Sequence, residues 1–391
     1  MKAFSQTNHA VLDESIENFT TASIECVEYD QERRLKVVNA LSQIKGREVL
    51  NRITIREVAD AAGVSIATVS RVLNAPARVN PDLRRRVTEA VDRLGYVAVG
   101  AARALASRRT GAIGALVPTL DNAIFAECIN ALQLRLDDHG YVLLVASADY
   151  DARRESRELK ALVERGIDGV VLVGTEHDAD VYRLVQATSV PAVITWSCEP
   201  GARVPCIGFD NRAAARRLCQ HLLELGHRQI AMLAGLRKGN DRAALRVEGV
   251  RDALAARGLA LGPEQLCERP YTVADGRTAL RQLMSVPVPP TAVICGNDVL
   301  AFGALFEAAA LGLRVPQDLS ITGFDDLDLA AQMVPPLTTV RVPAAEMGRR
   351  AADQLVGVAR GETPPQVTEL EAAIVLRGST GAPPVKAAPA A

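Results

Sequence analysis

The chain has few of the residues that metal sites, disulfide frameworks and membrane spans require. Its seven cysteines are scattered singly, without a CxxC pair or a Cys/His cluster, and only five histidines occur among 391 residues. The sequence therefore predicts no metal site, no disulfide framework and no bound cofactor. It contains no run of about 18 apolar residues, and the N-terminus MKAFSQTNHAVLDESIENF lacks the apolar core of a signal peptide. A cytoplasmic location is expected.

Motifs of common enzyme classes are also absent from the sequence. There is no GxSxG nucleophile elbow, no GxxxxGK[ST] phosphate loop and no metal spacing among the histidines. Aromatic residues make up only 4%, whereas 48% of the residues are hydrophobic, which is typical of an Ala/Val/Leu-rich α/β protein. A chain of this length can hold more than one domain. The missing motifs disfavour an enzyme, and the length and composition suit a soluble protein of two parts.

Residues 54–74, TIREVADAAGVSIATVSRVLN, predict a helix-turn-helix. Thr54 and Glu57 have the spacing of a capping box, so a first helix is expected to begin directly after Thr54. Gly63 is expected to end that helix, because glycine adopts positive φ at little cost. Ser65 can then accept a hydrogen bond from the N–H groups that open the second helix.

The second helix is the predicted recognition helix of this motif. It runs from about residue 66 to 74, and Asn80-Pro81 and Gly95 mark the beginning and end of a third helix. The arginines at 84–86 of that third helix are expected to touch phosphate or solvent. In a helix-turn-helix the outer face of the second helix enters the major groove. The candidate DNA-contacting residues of this module are Thr54, Ser65, Ile66, Ala67, Thr68, Ser70, Arg71, Asn74 and Arg78.

The charge distribution helps to distinguish a DNA-binding helix-turn-helix from a helical module of similar outline that does not bind nucleic acid. Between Arg52 and Thr110 there are 11 arginines, no lysine and five acidic residues, a net charge of +6. The whole chain carries −1, so the remainder sums to −7. Such a basic module on an acidic body is expected where one part contacts phosphates and the rest does not.

From Gly111 onward short apolar runs are expected to form strands. Continuous rather than alternating apolar runs predict parallel strands covered on both faces. Each of the first seven runs is followed by a helix-length stretch, and this repeated β-α order predicts doubly wound sheets. A ligand is expected beyond the carboxyl ends of such strands. The runs are 112–118, 141–147, 169–174, 192–195, 206–209, 230–235, 292–296 and 320–324.

Several segments resemble the lac repressor (LacI/GalR) family of bacterial transcription regulators. VADAAGVS, TVSRVLN and ARAL carry the resemblance in the N-terminal part, and LGHRQIAMLAG, PTAVICGNDVLAFGAL and GLRVPQDLSITGFDD carry it later. The matching segments cover about 53–377 in the family's order. The resemblance implies an α/β chain with a three-helix headpiece and a two-lobed, periplasmic-binding-protein-like effector domain built on doubly wound parallel sheets.

The resemblance also implies a domain organisation. Residues 1–51 form an N-terminal extension, either disordered or partly helical, and the two lobes are connected by three crossovers near residues 208, 338–340 and 366. The remaining predicted parts are the headpiece at 52–98, the hinge at 99–110, the effector and dimerisation domain at 111–377 and a disordered tail at 378–391.

The hinge resembles a family segment that folds on operator binding, where a leucine pair from the dimer wedges into the minor groove. Leu105 matches that leucine, and Arg103 is a second candidate for DNA contact; the alternative for Leu105 is a plain linker residue. Ala98 and Val99 stand where relatives usually carry proline and a polar cap. The hinge helix is therefore expected to nucleate less readily than in those relatives.

Polar residues after the strand runs are the candidate effector contacts. Asn297, Asp325 and Arg246 fall on positions that contact effector in relatives, although Asn and Asp after strands can also merely cap the next helix. Trp196, the only tryptophan, could stack on a sugar or simply be packed. The full set of candidates is Asp121, Phe125, Trp196, Arg246, Tyr271, Asn297 and Asp325, with Asn122 beside the first.

The resemblance implies a sequence-specific transcription regulator, most often a repressor. Its implied partners are double-stranded pseudo-palindromic operator DNA, a second copy of the chain in a homodimer, and a sugar or sugar acid as effector. Cations near the expected cleft, at 237, 238, 242 and 246, favour a gluconate-like acid; the alternative for them is a solvated surface. Whether the effector induces or corepresses stays open. The alternatives are a solute-binding protein and a sugar-acting enzyme. A solute-binding protein would need an export signal and would not carry a basic helix-turn-helix.

Overall fold

The computed structural model describes residues 53–74, 76–97, 109–198, 201 and 203–384. The chain divides into two compact units, Met1–Val99 and Gly100–Ala391. The predicted extension, the hinge candidates Arg103 and Leu105, and the residues from 385 onward lie outside the described residues. In the part of the chain that is described, no helix combines the length and apolarity needed to cross a bilayer.

Three helices make up the described part of the first unit, at the positions that the sequence predicts. The capping box is present, because the Thr54 N–H donates to the Glu57 carboxylate at 2.6 Å and the Glu57 N–H donates to Thr54 Oγ1 at 3.3 Å. Gly63 ends the first helix with a φ of 62°. The elements are α1 (Ile55–Ala62), α2 (Ile66–Asn74), a 3-10 turn (Pro76–Arg78) and α3 (Pro81–Leu94).

A single hydrophobic core joins these three helices. Val58, Val69 and Val87, one from each helix, are fully buried where the helices meet. Ile55 lies half-buried at the margin of this core. The apolar face of α2 is thereby used for packing, and its opposite face is left for other contacts.

The first lobe of the larger unit is built on a parallel sheet, as the continuous apolar runs predict. Its strands are β1 (Ala112–Val117), β2 (Val142–Ser147), β3 (Gly169–Val173), β4 (Ala192–Thr195), β5 (Cys206–Gly208) and β11 (Val367–Glu369). Its helices are α4 (Ala123–Asp138), α5 (Ala152–Glu164), α6 (Ala179–Thr188) and α12 (Ala344–Ala359). The strand order is β11-β5-β4-β3-β1-β2, with every neighbouring pair parallel.

The second lobe holds a smaller parallel sheet. Its strands are β6 (Ile230–Gly235), β7 (Leu266–Arg269), β8 (Ala292–Cys295) and β9 (Ser320–Thr322). Its helices are α7 (Asn211–Glu224), α8 (Asp241–Ala255), α9 (Val273–Met284), α10 (Asp298–Ala310) and α11 (Asp328–Gln332). The order is β7-β6-β8-β9. Strand β7 is not predicted from the sequence, because this edge strand, LCER, has no continuous apolar run.

The chain passes between the lobes three times, and two of the predicted crossover positions are confirmed. It leaves the first sheet after β5 and returns through β10 (Thr339–Arg341), which pairs antiparallel with β12 (Ala373–Val375). The third crossover follows Glu369 and not Gln366, because residues 367–369 still pair with β5. The helix expected after β4 is also wrong: the described residues between β4 and β5 contain none.

The predicted tail boundary at 378 is too early. Ser379 is fully buried, its hydroxyl donates to the Ile321 carbonyl at 2.6 Å, and the Ile321 N–H donates to the Ser379 carbonyl at 2.9 Å. His227 Nε2 lies 2.9 Å from the Gly381 carbonyl oxygen, and burial lowers the pKa of this imidazole. These contacts hold the segment after β12 against β9.

One hydrophobic cluster spans both lobes, and each lobe has a further cluster of its own. The rings of Phe209 and Phe324, which follow β5 and β9, are stacked with centroids 6.2 Å apart, and their cluster includes Ile113 of β1 and Met232 of β6. Strand order reverses between β1 and β3 and again between β6 and β8. In open α/β sheets ligands bind at such switch points, outside the carboxyl ends of the strands.

Candidate functional site

The outer face of α2 presents side chains suited to reading base edges. Ile66 is 41% exposed, and Ala67 and Arg71 are also exposed. Ser65 Oγ accepts a hydrogen bond from the Thr68 N–H at 3.1 Å and lies 2.9 Å from the Thr68 hydroxyl, so it caps α2 as predicted. Apolar side chains can contact thymine methyl groups, and a guanidinium can donate two hydrogen bonds to guanine.

The other candidate DNA-contacting residues of the headpiece differ in how exposed and how free their side chains are. Thr54 is exposed, but its hydroxyl also donates to the Glu57 carboxylate at 2.9 Å, within the capping box. Ser70 is half-buried, and Arg78 is exposed on the 3-10 turn. The side chain of Asn74 lies outside the described residues.

The three consecutive arginines of α3 are not equivalent. Arg84 and Arg85 are exposed, and Arg85 lies 3.6 Å from Asp82 in a solvated ion pair. Arg86 donates from Nη2 to the carbonyl oxygen of Ala62 at 2.6 Å. Arg86 therefore has a structural role that the sequence does not predict, at the carboxyl end of α1.

A cleft lies between the two lobes at the carboxyl ends of their strands. Its central part is narrow, with a volume of about 20 Å³, which is room for roughly one water molecule. A wider outer part of about 710 Å³ adjoins it. The central part is lined by Asn122, Ile124, Phe125, Tyr150, Trp196, Asn240, Arg242, Arg246, Tyr271, Asn297 and Asp325.

Arg246 is held rigidly at the centre of the cleft. Its Nε donates to Asn211 Oδ1 at 2.9 Å, and its Nη1 donates to the Gly296 carbonyl oxygen at 2.6 Å. The guanidinium carbon lies 3.7 Å from the centroid of the Phe324 ring, in a cation–π contact. These contacts orient the planar guanidinium before any ligand arrives.

Asn297 combines the two roles that the sequence leaves as alternatives. Its Oδ1 accepts the Leu300 N–H at 2.9 Å and so caps α10. Its Nδ2 is buried and has no hydrogen-bond partner within the described part of the chain. A buried donor without a partner is costly, so Nδ2 is ready to donate to a ligand oxygen in the cleft.

Asp325 places a carboxylate opposite this donor set. It is 4% exposed and adopts a φ of 122°, a left-handed conformation that is unfavourable for a residue with a side chain. Arg246 Nη2 lies 3.8 Å from its Oδ1, too far for a hydrogen bond. Burial outweighs the attraction of Arg246 and raises the pKa of Asp325 to about 7.

The neighbouring aspartates are engaged within the fold. Asp298 accepts from Thr339 Oγ1 at 2.6 Å and from the Leu327 N–H at 2.8 Å, and burial raises its pKa to about 8. Asp326 accepts from Arg341 at 2.7 Å and from Arg377 at 2.6 Å. Hydrogen bonds to these two carboxyl groups therefore link the start of α10 and the loop after β9 to β10 and to the segment after β12.

Aromatic rings form one side of the cleft. The rings of Phe125 and Trp196 lie with centroids 4.9 Å apart at an angle of 59°, and Trp196 is only 2% exposed. Tyr271 lies directly over Gly235, where a Cβ would overlap its ring. The structure thus brings all three predicted aromatic candidates to the cleft.

Two of the residues that the sequence offers for this site lie away from the central part of the cleft. Asp121 is exposed and does not line the cleft, whereas its neighbour Asn122 caps α4 and does. Arg237 lies outside the lining and pairs with Glu268 at 2.7 Å. Tyr150, which lies three residues after β2, also lines the cleft and is not predicted, because the sequence does not show which residue of this loop turns inward.

Two family models match the chain. Residues 54–98 match the model described as bacterial regulatory proteins, lacI family. Residues 219–380 match the periplasmic binding protein-like domain. The first match covers the helices with the exposed α2 face, and the second includes Arg246, Asn297 and Asp325.

Individual relatives extend this similarity over most of the chain. The HTH-type transcriptional repressor CytR of Escherichia coli is 33% identical over 342 residues, which are 87% of this chain and 100% of CytR. The HTH-type transcriptional regulator GntR of Pseudomonas aeruginosa is 35% identical over 81% of this chain and 92% of GntR. A crystal structure of the lac repressor dimer bound to operator and the anti-inducer ONPF superposes with a TM-score of 0.77 at 28% identity, covering 85% of this chain and 100% of that one.

Proposed function

The chain belongs to the lacI family of bacterial regulatory proteins, and we propose that it is a transcriptional repressor whose operator affinity is controlled by a sugar or sugar acid bound between the lobes. The observation that carries the proposal is the combination, in one chain, of an exposed helix-turn-helix face and a cleft whose buried Asn297 amide donor has no partner among the described residues. The first suits DNA and the second suits a polar small molecule.

The basic headpiece supplies the DNA-binding half of this function. Ile66 and Ala67 would contact bases through apolar surface, while Thr68 and Arg71 would hydrogen-bond to base edges. Thr54, Ser65, Ser70, Asn74 and Arg78, with Arg103 and Leu105 of the hinge, complete the proposed contact set. Most of the affinity would come from phosphates and would fall with salt.

The chemistry of the cleft favours a carbohydrate-type effector. Asn297 Nδ2 can donate to a hydroxyl oxygen, and the Asp325 carboxylate can accept from a hydroxyl group. Phe125 and Trp196 offer aromatic surface to the C–H face of a sugar ring. Arg246 would add a charged donor for a carboxylate, which a sugar acid such as gluconate carries. Tyr271 completes the proposed set.

Coupling between the two sites would run through the lobes. An effector that prefers one lobe arrangement shifts the population toward it, and the same free energy then appears as changed operator affinity. A homodimer reading a pseudo-palindrome is proposed, because the lac repressor relative is described as a dimer bound to operator. Such a regulator would act in the cytoplasm, with the DNA.

The test is binding of the purified full chain to its own upstream promoter DNA, measured by fluorescence anisotropy across a salt series. We expect specific binding that one compound in a panel of sugars and sugar acids, gluconate included, weakens. Arg71→Ala should lose about 1–3 kcal/mol on that DNA and little on a scrambled sequence.

Three results would overturn parts of the proposal. Equal affinity for promoter and scrambled DNA would exclude sequence-specific regulation. A compound that strengthens binding would replace repressor–inducer control by corepression. Chemical conversion of a bound sugar would establish an enzyme instead.

A further inference from the structure

A network of buried polar groups joins the two lobes beside the cleft. Asp241, at the start of α8 in the second lobe, accepts hydrogen bonds from the Thr175 N–H at 2.9 Å, the Thr175 hydroxyl at 3.0 Å and the Ser197 hydroxyl at 2.5 Å. Thr175 follows β3 and Ser197 follows β4, so both donors belong to the first lobe. A single carboxylate oxygen therefore receives three hydrogen bonds across the lobe boundary.

Arg242 extends this network across the same boundary. Its Nη1 donates to the Val173 carbonyl oxygen at 3.2 Å and to Asp241 Oδ1 at 2.7 Å. The side chains of Arg242 and Asp241 are 7% and 10% exposed, so the pair is largely shielded from water. We call the four residues Thr175, Ser197, Asp241 and Arg242 the lobe latch.

The first-lobe backbone is shaped to receive the latch. Gly174 has a φ of 83°, and a Cβ at this position would overlap both the Arg242 guanidinium and the Asp241 carboxylate. The Thr175 carbonyl oxygen accepts a hydrogen bond from Tyr182 Oη at 2.7 Å, and His177 Nε2 lies 2.8 Å from the Gly174 carbonyl oxygen. The loop after β3, which receives the latch, is thus fixed by hydrogen bonds to residues of its own lobe.

Asp241 is not needed to begin its own helix. The N-cap of α8 is Asn240, whose Oδ1 accepts the Ala243 N–H at 3.3 Å. Burial opposes the charge of Asp241, but Arg242 and the hydrogen bonds from Ser197 and Thr175 outweigh it and lower the pKa of Asp241. The carboxylate is therefore kept charged for contacts that it makes to the other lobe.

The latch also lies on the route to the centre of the cleft. Arg242 lines both the outer part of about 710 Å³ and the narrow central part. With the latch formed, the centre leaves only about 20 Å³, which is too small for a sugar ring. Entry of a ligand to Asn297 and Asp325 therefore requires the lobes to separate at the latch or the lining side chains to move.

We propose that Asp241 is a positioning residue that sets effector affinity by holding the two lobes together through Thr175 and Ser197. The part concerning effector rests on the proposed function, whereas the part concerning lobe closure does not. Loss of the charged acceptor is expected to shift the closed-to-open equilibrium about tenfold toward the open form.

Trp196 provides a readout that needs no effector. It is the only tryptophan, it is 2% exposed in the cleft, and it is the neighbour of Ser197. In the full-length Asp241→Asn variant we expect red-shifted Trp196 emission, stronger quenching by acrylamide and faster hydrogen exchange at the Thr175 amide. Thr175→Val removes one donor from the opposite lobe and should act in the same direction.

Asp252→Asn is the matched control. Asp252 lies on the same helix, and it pairs with Arg212 at 2.6 Å within the second lobe. Unchanged Trp196 quenching and amide exchange in both Asp241→Asn and Thr175→Val would overturn the latch. Should Asp241→Asn fail to fold, Thr175→Val alone decides.

The effector measurement separates the latch from the proposed function. With the effector identified in the promoter assay, Asp241→Asn should bind it about tenfold more tightly than Asp252→Asn, because the latched form leaves no room for it, while both bind promoter DNA. Equal or weaker affinity would overturn the role in effector binding. Increased Trp196 quenching without any effector in the panel would leave the latch standing and count against the proposed function.

Discussion

The Nη2 atom of Arg86 lies 2.6 Å from the carbonyl oxygen of Ala62 and thereby joins the third headpiece helix to the carboxyl end of the first. The same atom lies 3.1 Å from the Gly63 carbonyl oxygen. The last carbonyl groups of a helix lack partners within it, and a cation there also interacts favourably with the helix dipole. An arginine of the basic headpiece is thus committed to the fold that presents α2.

Arg86→Ala should loosen the headpiece without removing a DNA contact. We expect a loss of about 1 kcal/mol, because the hydrogen bonds carry charge but lie near solvent. Hydrogen exchange of the amides in α1 and α2 measures this directly in the full chain. Arg84→Ala, an exposed position on the same helix, serves as the control. Equal protection in the two variants would show that the Arg86 contacts contribute nothing.

Asn297→Asp should separate effector binding from helix capping. The carboxyl group keeps an acceptor for the Leu300 N–H, so the cap is retained, whereas burial of a second acid beside Asp325 should make the melting temperature fall as the pH rises. The buried amide donor is replaced by an acceptor beside Asp325, so the effector response should be lost. Asn297→Ala should lose the response and also about 1 kcal/mol of stability. A normal response in Asn297→Asp would remove this residue from the effector site.

Arg246→Ala should abolish the effector response and also destabilise the larger unit. Removal of the guanidinium leaves Asn211 and the Gly296 carbonyl without their donor and leaves Asp325 buried without a cation. The expected cost is about 3 kcal/mol in the free energy of unfolding, measured by urea denaturation. Promoter binding without effector should persist at low temperature. The double variant with Asp325→Asn should recover part of the stability; full additivity of the two changes would contradict the pairing.

The buried carboxyl groups predict that stability falls as the solution becomes alkaline. Burial raises the pKa of Asp298 to about 8 and that of Asp325 to about 7, well above the unfolded value. The folded state therefore binds more protons than the unfolded state between about pH 4 and the folded pKa values, so stability falls across this window and the loss is complete once the pH passes about 7 to 8.

Asp298→Asn should flatten this pH dependence. The amide mimics the protonated acid and should leave the protein more stable than the original above about pH 8. Asp318→Asn is the control, because the pKa of Asp318 is lowered to about 2 by Arg314 and lies outside this range. Denaturation curves at several pH values would test the prediction, and an unchanged slope in Asp298→Asn would refute it.

Local signals explain which elements were predictable. The capping box of Thr54 and Glu57, the left-handed turn at Gly63 and the Asn80-Pro81 helix start act over three or four residues, so the sequence reveals them directly. Seven of the eight predicted strands are largely buried and therefore read as continuous apolar runs, and β2 carries such a run although it lies partly exposed at the edge of its sheet. Four strands were not predicted from the sequence because they are short and lie at sheet edges or crossovers. These are β7, β10, β11 and β12.

The cleft was predictable only in part. Asn297, Asp325 and Arg246 could be named because they follow strand runs and match the family's pattern. Asp121 and Asn122 are adjacent, so the sequence could not decide which of the two faces the cleft; the start of α4 at Ala123 points Asn122 inward. Tyr150 reaches the centre through a backbone with a φ of 56°, which no local pattern indicated.

The order of residues in the chain is enough to specify the helix-turn-helix, the parallel strands and the separation of a basic module from an acidic body, because short-range capping, burial period and charge produce them. The contacts between distant segments depend on the folded chain. Arg86 meets Ala62, Asp241 meets Thr175 and Ser197, and Ser379 meets Ile321. Each of these pairs joins residues 24 or more positions apart, and only the packing of whole elements brings such residues within hydrogen-bonding distance.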